Sequence, residues 1–135
     1  MTPSPDAPRI LIVEDDPGNA LVMKTILTRL GGMRVEISED GDHVLDLVRL
    51  GSIDLVVMDV SLTNTKVGEE SVDGLELTRR IRGCERPIPV ILATAHAMRG
   101  DREKFLSESG ASGYVAKPII DHMGFVTAVR SQLGS

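Results

Sequence analysis

The stretch Leu55-Val56-Val57-Met58-Asp59 decides the fold, because an apolar run ends directly in a carboxylate and the chain turns after it. A short continuous apolar run is typical of a strand buried on both faces, as in parallel sheets. Three other apolar runs also end in chemically useful groups: residues 10–13 before Glu14-Asp15-Asp16, residues 90–93 before Thr94, and residues 114–116 before Lys117. Parallel strands have their carboxyl ends at one edge of the sheet, where ligands bind. The sequence therefore predicts one pocket containing carboxylates, a hydroxyl and an ammonium.

Composition limits the classes of function. The 135 residues are close to one domain, and 41% hydrophobic residues with only 2% aromatic ones predict an aliphatic core. A net charge of −5 without a basic cluster argues against direct binding to nucleic acid or to an anionic membrane. No apolar stretch approaches the ~20 residues that span a bilayer. Cys84 is the only cysteine, which excludes an internal disulfide and favours a cytoplasmic location.

Apolar runs alternate with segments of helical period, which predicts an α/β fold whose parallel sheet is covered on both faces. Residues 34–37 alternate polar and apolar, so we expect that strand at a sheet edge. The fourth and fifth strands are predicted over residues 88–93 and 114–116, and residues 61–72 are predicted to be a polar loop. Residues 1–8 are predicted to be a disordered leader and residues 9–135 a single domain. Five helices are predicted. The first begins at Asp16-Pro17 and is buried through Ala20, Met23, Ile26, Leu27 and Leu30, and the second covers residues 42–50 and is buried through Val44, Leu47 and Val48. The third begins at Asp73-Gly74, and the last two cover residues 98–109 and 121–133.

The acidic residues favour magnesium and phosphoryl chemistry. Glu14 and Asp15 are adjacent carboxylates that suit Mg²⁺, although helix capping and compensation of the helix dipole are the alternative. Asp59 could attack a phosphoryl group and form an aspartyl phosphate, or it could simply form a turn. Lys117 could pair with Asp59 and later neutralise a phosphoryl oxygen, or it could be an exposed lysine before an ordinary proline. Thr94 could donate its hydroxyl to the same oxygen, or serve only as a strand-end threonine.

Other reactive side chains have simpler interpretations. The three histidines lie on different segments without ligand spacing, Cys84 has no partner cysteine, and two acids fall in the polar loop. We therefore interpret His43, His96 and His122 as surface histidines, Cys84 as a bystander, and Glu69 and Glu70 as part of a solvated loop.

Together these motifs resemble the receiver domain of two-component response regulators, in particular the single-domain, chemotaxis-type receivers. The resemblance extends over residues 9–133 and includes Asp73-Gly74 and Lys117-Pro118. It implies a flavodoxin-like, doubly wound sheet of five parallel strands in the order 2-1-3-4-5, with five helices.

The resemblance also implies a role for each site residue. Asp59 would be the phosphoacceptor, and Lys117 the phosphate-pairing lysine, with a cis Lys117-Pro118 bond. Thr94 and Tyr114 would form a switch in which Thr94 moves toward the phosphoryl group and Tyr114 rotates inward. The implied magnesium ligands are Glu14, Asp15 (the direct ligand of the acidic pair), Asp59 and the backbone carbonyl of Ser61.

A receiver of this kind accepts its phosphoryl group from a sensor histidine kinase or a phosphotransfer protein. It is a signalling domain rather than an enzyme, limited to self-catalysed phosphoryl transfer and autodephosphorylation. We expect output through a downstream protein target, with a phosphorylation-dependent homodimer left open. Two other functions remain alternatives: a degenerate receiver that serves as a binding scaffold, and a haloacid-dehalogenase-like phosphatase, whose second acid is replaced here by Ser61.

The chain departs from the family pattern after Asp59. The family usually has a Met-Pro pair there and reaches Asp-Gly sooner, whereas here Ser61-Leu62 follows and Asp73-Gly74 comes 14 residues after Asp59. The extra residues fall in 63–72, beside the predicted site. They either contribute to partner choice or dimer contacts, or they are a tolerated surface insertion.

Overall fold

Five parallel strands form the central sheet in the computed structural model, which describes residues 4–95 and 98–133. The strand order is β2-β1-β3-β6-β7, which is 2-1-3-4-5 when only the strands of this sheet are counted, so the predicted flavodoxin-like topology is confirmed. The strands, in chain order, are β1 (Arg9–Val13), β2 (Arg34–Ser38), β3 (Leu55–Asp59), the short β4 (Lys66–Val67) and β5 (Glu70–Ser71), β6 (Val90–Thr94) and β7 (Gly113–Ala116).

Five helices are present in the described residues, and acidic side chains cap the first three. Asp16 accepts a hydrogen bond from the Gly18 N–H, and Asp73 accepts one from the Glu76 N–H, each satisfying a free donor of the first helical turn. Asp40 caps the second helix in the same way. The helices are α1 (Pro17–Arg29), α2 (Gly41–Arg49), α3 (Gly74–Arg82), α4 (Asp101–Ser109) and α5 (His122–Leu133).

Two hydrophobic layers cover the two faces of the sheet, because side chains alternate along each strand. Leu11, Val56 and Met58 pack with α2 and α3 on one face. Ile10 and Val57 pack with α1 and α5 on the other. Strands β3 and β6 are buried along their whole length, whereas β2 is only partly buried and lies at an edge, as its alternating sequence predicts. The core is aliphatic except for Phe125, which confirms that prediction.

Some predicted boundaries and burial assignments are wrong. Leu30 is 46% exposed because α1 ends before it, so it is a C-cap rather than part of the buried stripe. Helix α4 begins at Asp101, not at residue 98. In α2 the fully buried leucine is Leu45, whereas Leu47 is only partly buried.

The stretch predicted to be an unstructured polar loop contains an antiparallel hairpin formed by β4 and β5. Lys66 pairs with Ser71, and Val67 pairs with Glu70. Glu70 is therefore a strand residue rather than a loop residue. It is exposed to solvent, as predicted, and forms a 2.7 Å ion pair with Arg80 of α3. Strands of two residues carry no periodic signal, so the pattern along the chain could not reveal them.

Of the predicted leader, the structure describes Ser4 onward. Ala7 is buried, and its carbonyl accepts two hydrogen bonds from the Arg34 guanidinium. His43 and His122 lie on the surface as predicted, while His96 falls outside the described residues. Within the described ranges, no helix combines the length and the apolar character that crossing a membrane requires.

Candidate functional site

Strand register brings the predicted site residues to one edge of the sheet. Val13 pairs with Met58, so the next residues, Glu14 and Asp59, are neighbours across β1 and β3. Asp59 pairs with Ala93, one residue before Thr94. Thr94 in turn pairs with Ala116, one residue before Lys117. The carboxyl ends of four strands therefore converge, as the sequence predicts.

The Lys117 ammonium lies between two carboxylates. Its Nζ donates to Oε1 of Glu14 at 2.7 Å and to Oδ1 of Asp59 at 3.0 Å. Glu14 and Asp59 are only 4% and 3% exposed, so this is a buried, charge-assisted network. Lys117 is not an exposed lysine, and its bond to Pro118 is cis. The Lys117 backbone N–H donates to the Thr94 carbonyl at 2.8 Å, which holds the end of β7 against β6.

Burial and charge shift the pKa values of this network. Burial, followed by the proximity of Asp59, raises the pKa of Glu14 to about 6 against the opposing effect of the Lys117 ammonium. Burial acts to lower the pKa of Lys117, but its contacts with Glu14 and Asp59 outweigh burial and raise that pKa. The site therefore retains a protonated lysine beside crowded carboxylates.

Asp59 is held by a second donor from its own turn. The Ser61 N–H donates to Oδ1 of Asp59 at 3.1 Å, the same oxygen that Lys117 contacts. Neither of these two donors contacts Oδ2. Ser61 itself is exposed.

Asp15 completes a group of acids that could bind a cation. Single carboxylate oxygens of Glu14, Asp15 and Asp59 all lie within 4.8 Å of one another. Burial would raise the pKa of Asp15, but two hydrogen bonds from Thr63, together with smaller effects, lower it. Three carboxylates and one ammonium leave an excess of negative charge on hard oxygen donors, which is the donor chemistry that Mg²⁺ prefers.

Thr94 and Tyr114 lie on adjacent strands, β6 and β7. Thr94 is buried at the end of β6. The Tyr114 ring packs against Phe105 of α4, with ring centroids 6.2 Å apart. The Tyr114 hydroxyl is buried and has no hydrogen-bond partner among residues 4–95 and 98–133, and burial raises its pKa.

The long stretch after Asp59 does not separate the end of β3 from the start of α3. The Gly74 N–H donates to the Val60 carbonyl at 3.2 Å, so α3 begins directly beside the end of β3. A Cβ at position 74 would collide with the Asp59 carbonyl oxygen. The additional residues project as the hairpin and return before Gly74. The intervening Thr63 contacts Asp15, a contact that the sequence pattern did not reveal because it depends on the path of this loop.

Comparison with known proteins decides the family. A sequence model described as "Response regulator receiver domain" matches residues 10–130. The chain belongs to the response regulator receiver family. It is thus a signalling domain of two-component systems rather than a conventional enzyme.

Similar receivers occur both in large kinases and as small regulators. The chain is 39% identical over 115 residues to hybrid signal transduction histidine kinase I of Dictyostelium discoideum, covering 82% of this chain and 6% of that protein. It is 35% identical to the sensor histidine kinase GacS of Pseudomonas protegens, covering 87% and 12%. It is 34% identical to the polar-differentiation response regulator DivK of Brucella ovis, covering 93% and 95%. The chain therefore spans a small part of the kinases and nearly all of DivK.

A solved receiver provides the structural comparison. The receiver domain of the sensor histidine kinase PA1611 from Pseudomonas aeruginosa PAO1 is 33% identical, with a TM-score of 0.78 and coverage of 96% of this chain and 99% of that one. That crystal structure is described as having a magnesium ion coordinated in the active site cleft. Receivers as a family bind Mg²⁺ at their acidic site and partner with histidine kinases or phosphotransfer proteins.

Proposed function

We propose that Asp59 accepts a phosphoryl group from a phosphohistidine on a sensor kinase or phosphotransfer protein. A carboxylate oxygen attacks phosphorus, the P–O bond forms as the P–N bond breaks, and the imidazole nitrogen leaves with the electron pair and takes a proton from water. The observation that carries this proposal is the Lys117 ammonium, which contacts both Asp59 and Glu14 in a buried site.

The contacts of Asp59 suit a nucleophile. Lys117 and the Ser61 N–H both donate to Oδ1, so the carboxylate is held in one orientation while Oδ2 is the attacking oxygen. After transfer, the phosphoryl group brings further negative charge beside the same ammonium. Lys117, already positioned, stabilises that charge with little reorganisation.

We propose Glu14, Asp15 and Asp59 as magnesium ligands, together with the backbone carbonyl of Ser61. The three carboxylates converge within 4.8 Å and carry more charge than Lys117 compensates. When bound, Mg²⁺ supplies the positive charge that lets a phosphoryl group approach three acids. The carboxylates themselves keep this edge of the sheet hydrophilic.

We propose that Thr94 and Tyr114 transmit the change to the surface. Thr94 lies one register position beyond Asp59, at the end of a strand that is buried along its whole length. The Tyr114 hydroxyl lacks a partner among the described residues, so packing holds the ring, against Phe105 and against the buried cluster on that face of the sheet. Movement of Thr94 toward the phosphoryl group would open space for Tyr114 and alter the α4 surface.

We propose that the histidine-bearing partner docks on an exposed apolar surface formed by Leu21 and Val22 of α1 and by its C-cap residue Leu30, with His122 of α5 at its border. Helix α1 begins at Pro17, two residues after Asp15, so a partner bound to the first turns of α1 lies beside the site. Exposed apolar groups on a helix favour packing against another helix. A downstream protein target, a phosphorylation-dependent homodimer and a cytoplasmic location belong to the same proposal, as does a single receiver domain over 9–135 preceded by a leader.

Incubation with acetyl phosphate and Mg²⁺, followed by mass spectrometry, tests the assignment without a kinase. Wild type should gain one phosphoryl group, which hydroxylamine removes because the bond is an acyl phosphate. Asp59→Asn should gain none. Acid-labile phosphate on Asp59→Asn would refute the phosphoacceptor assignment, and no phosphate on either protein would favour the scaffold alternative. Sustained hydrolysis of a generic phosphate ester would instead support a phosphatase.

A further inference from the structure

Thr63 makes two hydrogen bonds to the same oxygen of Asp15. Its backbone N–H donates to Oδ2 at 3.0 Å, and its hydroxyl donates to Oδ2 at 2.9 Å. The two residues are 48 positions apart in the chain. Both Thr63 donors are therefore on Oδ2, and neither contacts the other oxygen, Oδ1.

Buried residues hold the segment around Thr63 in place. Leu62, Thr65 and Val72 are all buried, although Thr63 is exposed. The Val72 N–H donates to the Thr65 carbonyl at 3.0 Å and closes the base of the hairpin. The buried residues on either side of Thr63 therefore restrict the positions of its two donors, the N–H and the hydroxyl, in the absence of a ligand.

The hairpin is also anchored to two helices. The Gly68 N–H donates to both carboxylate oxygens of Asp42 on α2, at 3.1 Å each. Glu70 pairs with Arg80 on α3. Gly41 of α2 lies so close to Lys66 that a Cβ there would collide with the Lys66 carbonyl oxygen. These contacts attach the hairpin to α2 and α3.

We propose that Thr63 is a positioning residue for the metal site: its hydroxyl and N–H hold Asp15 with Oδ1 directed to the cation. The segment beyond Asp59 then supports Asp15, whereas Lys117 contacts Glu14 and Asp59. This inference rests on the proposed magnesium site and adds a role for the loop in which the chain departs from its family pattern.

Outer hydrogen bonds of this kind orient metal ligands and raise metal affinity. In the competing arrangement, Mg²⁺ binds Oδ2 of Asp15 and must first displace Thr63 from that oxygen. The two arrangements predict opposite effects of removing the hydroxyl. Positioning predicts weaker Mg²⁺ binding, and competition predicts tighter binding.

Calorimetric titration of the full chain with MgCl₂ tests the role. Thr63→Val, which keeps the shape and the backbone N–H, should weaken Mg²⁺ binding about tenfold. Thr63→Ser should restore it, because the hydroxyl returns. Thr127→Val is the matched control, since Thr127 is exposed on α5, and should bind Mg²⁺ like wild type. Unchanged or tighter binding by Thr63→Val overturns the proposal.

A second variant tests the support given by the hairpin, and remains informative if Thr63→Val does not fold. Asp42→Asn weakens the attachment of Gly68 without touching the acids, and should weaken Mg²⁺ binding by less than Thr63→Val does. Mg²⁺ affinity equal to that of wild type would exclude the supporting role.

Failure of the two proposals is distinguishable. If wild type binds Mg²⁺ through Asp15 but accepts no phosphate, the phosphoacceptor function fails and the Thr63 inference stands. If wild type is phosphorylated and Thr63→Val binds Mg²⁺ normally, only the Thr63 inference fails.

Discussion

The Nζ of Lys117 lies 3.0 Å from Oδ1 of Asp59, although 58 residues separate the two in the chain. The same ammonium contacts Glu14 at 2.7 Å. Both carboxylates are almost fully buried, so this single cation compensates two charges that water cannot reach. Lys117 therefore has a structural role before any phosphoryl transfer.

Removing the Lys117 charge should destabilise the protein. Lys117→Met leaves two buried carboxylates without their cation, and loss of one partner of a buried ion pair costs about 3 kcal/mol or more. Urea unfolding at neutral pH without Mg²⁺ measures this loss. Lys104→Met, at an exposed position on α4, should stay within about 0.5 kcal/mol of wild type. Equal stability of the two variants would contradict a structural role for Lys117.

Gly74 should tolerate no side chain. A Cβ there would collide with the Asp59 carbonyl oxygen and lie 2.9 Å from the Cα of Val60. Gly74→Ala must displace the end of β3 or the start of α3, and we expect destabilisation of about 3 kcal/mol, since overpacking against backbone allows little relaxation. Urea unfolding and acetyl phosphate labelling would show loss of stability together with impaired phosphorylation.

Gly18→Ala provides the comparison for Gly74→Ala. The nearest atom to a Cβ at Gly18 is the Asp16 Oδ1 at 3.4 Å, an ordinary contact. We expect a change between zero and about 1 kcal/mol of stabilisation, because alanine restricts the unfolded chain more than glycine does. Similar losses of stability in Gly74→Ala and Gly18→Ala would show that the lack of space for a Cβ at Gly74 does not cause the destabilisation.

Local patterns predicted the sheet and most of the site. The apolar run before Asp59 indicated a central strand, and alternation in residues 34–37 indicated an edge strand. Because parallel strands share one carboxyl edge, the convergence of Glu14, Asp59 and Lys117 followed from the topology. These features depend on patterns of a few residues, which the sequence displays directly.

Features that depend on tertiary contact could not be predicted. The β4–β5 hairpin has two residues in each strand and is held by Asp42, Arg80 and the close approach of Gly41. The bond between Thr63 and Asp15 depends on the path that the chain takes between Asp59 and the start of this hairpin. Neither residue type nor spacing marks such a contact in a polar stretch.

The Arg9–Asp54 pair should make the free energy of unfolding depend on pH in the acidic range. The Asp54 carboxylate accepts hydrogen bonds from the Arg9 N–H at 2.8 Å and from its guanidinium at 3.0 and 3.2 Å. The Arg9 hydrogen bond, acting against burial, lowers the pKa of Asp54. Because its pKa is lower in the native state, Asp54 stabilises the fold at pH values above its unfolded-state pKa of about 3.9. That stabilisation is lost as the pH falls through the native-state pKa.

Asp54→Asn should therefore reduce the free energy of unfolding at pH 7 by at most about 1 kcal/mol, because both side chains are 38% exposed and solvent screens the pair. Urea unfolding of wild type and variant between pH 7 and pH 3 should show this difference shrinking below about pH 4. Asp46→Asn, which alters a looser 3.9 Å exposed pair with Arg49, should show almost no difference at either pH. If the difference in the free energy of unfolding between wild type and Asp54→Asn grew on acidification, the assigned direction of the Asp54 pKa shift would be wrong.

The exposed apolar surface of α1 should matter for phosphoryl transfer from a protein donor and not for the chemistry. Leu21 and Val22 are 61% and 48% exposed, so the double change Leu21→Ser and Val22→Ser should alter stability by about 0.5 kcal/mol or less per site. Transfer from a phosphohistidine protein should slow by about tenfold or more, since loss of apolar contact area weakens docking. Labelling by acetyl phosphate should be unchanged, because that donor needs no docking surface.

Leu50→Ser is the matched control for the α1 surface. Leu50 is 76% exposed at the end of α2, so it offers a similar apolar group elsewhere on the molecule. Its substitution should leave transfer from the phosphohistidine protein and labelling by acetyl phosphate both at wild-type rates. Equal slowing by Leu50→Ser and the α1 double variant would indicate a general effect of lost surface apolarity. Slowing of acetyl phosphate labelling in the α1 variant would instead show that α1 acts on the site itself, and the docking assignment would fail.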